Sequence, residues 1–177
     1  MVRKPELLIP ASSLEVLKIA VMFGADAVYI GGEAFGLRAK AKNFSMEDMK
    51  EGIAFAHAHD VKVYVTANIL AHNDDLKGVR EYFEELKTIR PDALIISDPG
   101  VFMIAKEVCP EIERHVSTQA NNTNYGTYQS GGIWEPLGWL LPENCLWRRF
   151  GKSARTYRKK MEIESFIQRG YVHFLFR

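Results

Sequence analysis

The sequence predicts an α/β chain: a partial TIM-barrel-like (β/α) repeat of about five parallel strands with helices, followed by an irregular tail. Three observations predict it. Short apolar runs alternate with amphipathic helical stripes from Glu6 to Val108, and a further run begins at Arg114. The repeat is about 30 residues long, the size of one βα unit, so successive strands lie parallel. Gly31-Gly32, Asn68, Asp98 and Gln119 each stand at or just past a strand end. That placement favours a barrel, whose strands all deliver their C-terminal ends to one mouth, over a doubly wound sheet with a single switch point.

Each element has its own signal. Glu6–Pro10 is a short apolar strand; Ser12-Ser13 then offers an N-cap to a helix over Leu14–Phe23, populated by Leu14, Leu17, Ile19, Val21 and Met22 and ended by Gly24. Ala27–Ile30 is the second strand. Ser45 caps a helix over Met46–His59, with Glu47 and Asp48 in the first turn, where the helix dipole favours acids. Lys62–Ile69 is a third strand rich in β-branched residues, and Asp74–Ile89 its helix, with Leu76, Val79, Tyr82, Phe83 and Leu86 on one face. Ala93–Ile96 is the fourth strand, Gly100–Val108 the fourth helix and Arg114–Ser117 the fifth strand.

Composition narrows the function classes. The 177 residues are 47% hydrophobic and 25% charged, ordinary globular material near the size of one domain. A net charge of +1 gives no bulk basic footprint for nucleic acid and no polybasic membrane anchor. The opening MVRKPELLIPASS lacks the apolar core of a signal peptide, and no run approaches the roughly 18 residues of a membrane span, so a cytoplasmic, membrane-free protein is expected. Cys109 and Cys145 have neither metal-ligand nor disulfide-framework spacing and read as reduced thiols.

The chemistry is expected at the strand ends. In RHVSTQANNTN, Arg114 to Asn124, the fifth strand breaks into hydrogen-bonding side chains too polar and too closely spaced for a core. Gln119 and Asn121, two apart, can face a ligand together, and such amides bind polar substrates without titrating. Asn68 shares a face with Tyr64 and Thr66 and points into the mouth. Asp98, before Pro99-Gly100, is either a general base or acceptor at the mouth or the cap of the following helix. The long loop over residues 31–44 carries Arg38, able to clamp a carboxylate or phosphate bidentately, whereas Lys40 and Lys42 read as its solvated basic face. Gly31-Gly32 would let a backbone approach a ligand, but is not the longer phosphate-binding fingerprint. His72 reads as a capping or surface residue rather than a proton carrier, and His57 and His59, on different faces of one helix, are not a metal pair.

PELLIPASSLEVLKIAVMFGADAVYIGG, FGLRAKAKNFS, VYVTANILAHNDDL, ALIISDPGV and STQANNTN, in this order, together resemble the N-terminal part of the collagenase-like peptidase family, peptidases of unassigned catalytic type. The likeness covers Pro5 to about Gln129. It implies a TIM-barrel-like catalytic domain and either peptide hydrolysis or, as in members that resemble iron–sulfur proteins, hydroxylation of tRNA, ribosomal RNA or a quinone precursor. The family signature, Glu-x-Phe and a glycine before a run with cysteines, begins at Glu164 and Phe166 in MEIESFI. No serine–histidine–acid, metal or cysteine–histidine constellation is legible, so the catalytic residue is unassigned, with Asp98 the candidate. A non-catalytic RNA- or partner-binding module is the other reading, its contacts the basic loop and Arg148, Arg149, Arg155, Arg158, Lys159 and Lys160.

The resemblance divides the chain into 1–129, a family barrel part; 130–160, a non-family segment; 161–167, the start of the signature; and 168–177, a tail. Residues 130–160 hold all three tryptophans and no βα rhythm. Plausible codons for Ser130 to Lys152, read one base earlier, spell WRDLGASRVV, one undetermined residue, then ARELSLEEIRK, a strand and a capped helix. Codons for RGYVHFLFR shifted by one base read GAMCISYSG, restoring the glycine and first cysteine of the signature. A frameshifted, truncated and inactive gene product is therefore expected, carrying no cofactor itself, with any iron–sulfur cluster confined to the intact parent. About five of eight barrel strands would leave an open edge that an oligomer covers. Resequencing the coding DNA tests the shift.

Overall fold

The computed structural model describes residues 4–33, 43–69, 71–124, 126, 138–140, 162–168 and 172–176. Strands β1 (Glu6–Pro10), β2 (Ala27–Gly31), β3 (Lys62–Ala67), β4 (Ala93–Ile96) and β5 (Glu113–Val116) alternate with helices α1 (Leu14–Met22), α2 (Met46–His57), α3 (Leu76–Ile89) and α4 (Pro99–Val108). The predicted repeat is thus present, with ends displaced by a residue or two. Three short strands follow in the tail: β6 (Gly138–Leu140), β7 (Glu162–Gln168) and β8 (Val172–Phe176). Strands β1 to β7 pair in parallel with their neighbours, and β8 lies antiparallel to both β7 and β1, closing a barrel. The edge expected to stay open beyond β5 is therefore covered from within the chain. A hairpin return reaches β1 with only residues 169–171 between β7 and β8, whereas a parallel strand would need a crossover of a dozen residues or more.

Helix starts are fixed by local chemistry. Ser13 Oγ accepts from Val16 N–H, Ser45 Oγ from Asp48 N–H and Asp98 Oδ1 from Val101 N–H, each satisfying an orphan donor at a helix start. In α1, Leu17, Ala20 and Val21 are buried, while Ile19 and Met22, two of the apolar residues that populate the helix, point to solvent. The side of α1 that meets α2 is set by Gly52, where Leu14 and Leu17 occupy the space a Cβ would fill, and by the Lys18–Glu51 ion pair.

Alternation divides the strands into two cores, as a closed barrel requires. Val28, Ile30, Val63, Val65, Leu94 and Ile96 face outward and pack with Leu17, Ile53, Phe83, Leu86 and Phe102 of the helices. Leu8, Ala27, Tyr64, Ala93, Ile95 and Leu140, with Tyr29 against them, form a separate inner cluster. At the N-terminal rim, Asp26 and Asp92 perform one task twice. Each stands just before a strand, donates its N–H to a carbonyl of the preceding strand (Leu7 or Val63) and accepts that same residue's N–H at 2.8 Å on its carboxylate. The repeated Asp-Ala in GADAVYI and RPDALII is the local signal for this register lock.

Candidate functional site

Strands β3, β4 and β5 are neighbours, so the residues following them occupy adjacent points of one rim at the C-terminal end of the barrel. Asn68, just past β3, is half-buried, and its Oδ1 is buried with no hydrogen-bond partner among the described residues. It continues the inward alternation of Tyr64 and Thr66. Asp98, past β4, is half-buried and caps α4; of the two roles left open by the sequence, the capping role is the one its contacts display.

Past β5 the chain makes a single 3₁₀ turn, Thr118–Ala120. Ser117 organises it: its N–H donates to the Ile96 carbonyl, its Oγ accepts from Gln119 N–H, and its carbonyl accepts from Asn122 Nδ2. Ser117 and Asn122 are buried beneath the turn, while Gln119 and Asn121 are exposed on it. Asn121 has φ 55°, a left-handed conformation that asparagine tolerates better than most residues. Two exposed amides are thus held out by two buried polar side chains.

Below the rim, the barrel interior holds polar groups where such barrels usually carry branched aliphatic residues. His115 and Glu164 are both fully buried, with His115 Nδ1 2.5 Å from Glu164 Oε1. The Tyr64 ring meets the imidazole edge-on at 5.1 Å, and Tyr64 Oη donates to Glu6 Oε1, whose other oxygen accepts from Lys62 Nζ. A Cβ at Gly138, beside His115 on the next strand, would lie 2.7 to 2.9 Å from three imidazole atoms, so glycine there makes room for the ring. His115 is the site residue that the sequence reading passed over. Its signal was available: a histidine two residues before Ser117 occupies an inward position of a buried strand.

The diglycine has a packing explanation. At Gly32 a Cβ would stand 2.5 Å from the Tyr82 hydroxyl and 3.2 Å from a Met49 carbon, so this position admits the helix layer rather than a ligand. His72 is exposed, as its surface reading expects. Arg38, Lys40 and Lys42 lie outside the described residues, as do the side chain of Phe166 and the basic residues of 148–160.

Residues 12–137 match the family model for peptidase family U32. The chain belongs to peptidase family U32. Among U32 relatives, it is 42% identical over 168 residues to tRNA hydroxylation protein P1 of Bacillus subtilis, covering 93% of this chain and 39% of that protein. It is 39% identical over 168 residues to tRNA hydroxylation protein P of Escherichia coli, covering 93% of this chain and 36% of that one. The chain thus spans less than two fifths of either relative's length. Matches of this extent run through residues 130–160, where the βα rhythm breaks. A solved U32 peptidase superposes with a TM-score of 0.74 at 11% identity, over 93% of this chain and 68% of that one, which supports the barrel fold.

The iron–sulfur cluster that the U32 resemblance implies does not fit the residues present. Such clusters are held by four thiolates, or by two with two histidines. This chain has two cysteines. Cys109, the buried C-cap of α4, donates to the Ala105 carbonyl, and burial pushes its thiol up to about 11, against the thiolate a cluster needs. Among the described residues no group of three histidine, cysteine or carboxylate side chains could hold a metal ion.

Proposed function

We propose that this chain is the N-terminal barrel portion of a U32 protein of the RNA-hydroxylation type, and that its rim amides receive a nucleobase of a structured RNA. The observation that carries the reading is the similarity to two tRNA hydroxylation proteins over 93% of the chain. The rim chemistry agrees. Asn68, Gln119 and Asn121 offer donors and acceptors suited to base edges, and structured RNAs are read mostly through splayed, unpaired bases.

Peptide hydrolysis has less to work with. His57, His59 and His115 lie against Asp92, the Phe55 carbonyl and Glu164, none of them a hydroxyl or thiol nucleophile. Asp98 spends one oxygen on capping α4.

The test is binding of unmodified tRNA by the 177-residue chain across a salt series, beside a gelatin-cleavage assay. The reading expects tRNA binding that weakens with salt and falls about tenfold or more when Asn68 and Gln119 are both replaced by alanine. Gelatin cleavage abolished by Asp98→Asn, with no tRNA binding, would overturn it in favour of the peptidase.

A further inference from the structure

We infer that Glu164 and His115 form a positioning pair for the rim: the carboxylate on β7 sets, through the imidazole on β5, the placement of the turn that presents Gln119 and Asn121. The inference rests on the RNA-binding reading for the identity of the ligand, but not for the geometry.

Both side chains are fully buried, so neither can touch a macromolecule at the mouth; whatever they do, they do through other residues. Their contact joins strands 49 residues apart in sequence, across the intervening β6. The Tyr64 ring packs against the imidazole edge-on, and the imidazole fills the space that a Cβ at Gly138 would take. Glu164 Oε2 has no hydrogen-bond partner among the described residues, which leaves His115 as the anchor the structure displays for this carboxylate.

From His115 the connection to the rim is short. Ser117 is two residues on, on the same face of the chain, and it holds Gln119 N–H with its hydroxyl and Asn122 Nδ2 with its carbonyl. A rotation or shift of the imidazole moves the end of β5 and the Ser117 anchor with it. An ionisable pair in a barrel core adds little stability over an aliphatic filling, so its presence directly beneath the exposed amides favours a positional role.

The experiment uses the full chain and the variants Glu164→Gln and His115→Gln. Amide ¹H and ¹⁵N shifts of Gln119, Asn121 and Asn122 are measured with the urea midpoint and the affinity for unmodified tRNA. The inference expects a cooperative fold in at least one variant, shift changes concentrated in those three residues, and tRNA affinity lowered about tenfold, with Glu164→Asp recovering part of the loss. Unchanged turn amides in a folded variant overturn it. So does loss of cooperative folding in both variants, which would make the pair a structural brace. If the wild type itself binds no tRNA, the functional reading fails while the turn shifts still decide the positioning role.

Discussion

Gly138 shows how one atom can decide a buried site. Its missing Cβ leaves room for the imidazole of His115, which cannot move aside without losing Glu164 or striking Tyr64. Gly138→Ala should therefore destabilise the chain by about 1–3 kcal/mol, the usual cost of overfilling a packed core, read as a lower urea midpoint at unchanged slope. A variant as stable as the wild type would show that the ring has another place to go. Asp98 carries the opposite lesson. As a residue type before Pro-Gly it was equally suited to capping and to chemistry, and only the contact with Val101 N–H displays one of the two roles.

Among the elements, the strand starts are held by carboxylates rather than by hydrophobic burial alone. Burial raises the pKa of Asp26, but the hydrogen bond from Leu7 N–H and the Lys4 ammonium together outweigh it and hold the carboxyl below its ordinary value. The charged form is thus the one the fold favours. The resulting stabilisation is complete above the unfolded-state pKa near 4 and is lost as pH falls through the lower folded value. Urea midpoints measured from pH 6 down to pH 2.5 should fall more steeply for the wild type than for Asp26→Asn. Parallel curves would mean that the Leu7 contact contributes nothing dependent on charge.

For the molecule as a whole, closure moves the exposed apolar surface from a sheet edge to a helix. With β8 between β7 and β1 the strand ladder has no free edge, but Val16, Ile19, Met22 and Phe23 remain exposed on α1, Phe23 by 85%. Val16, Ile19 and Phe23 follow the i, i+3, i+7 spacing of one helical stripe, on the side away from α2. A contiguous apolar stripe of this kind limits solubility. Phe23→Lys, which also places a cation at the helix C-terminus, should raise the concentration at which sedimentation still shows a single species. No gain would show that this stripe does not limit solubility. No helix of the described residues is long and apolar enough to cross a membrane.

Five strands with four helices between them, the helix caps at Ser13 and Ser45, and the amides past the strand ends were legible in the sequence, because each is written within a few neighbouring residues. Periodicity, a capping side chain and a polar residue ending an apolar run are all local signals. Folding alone decided that the barrel closes, that Gly32 serves the helix layer, and that Glu164 meets His115. Those outcomes depend on contacts between residues tens of positions apart, and a strand as short as Gly138–Leu140 has too few residues to show a period of its own.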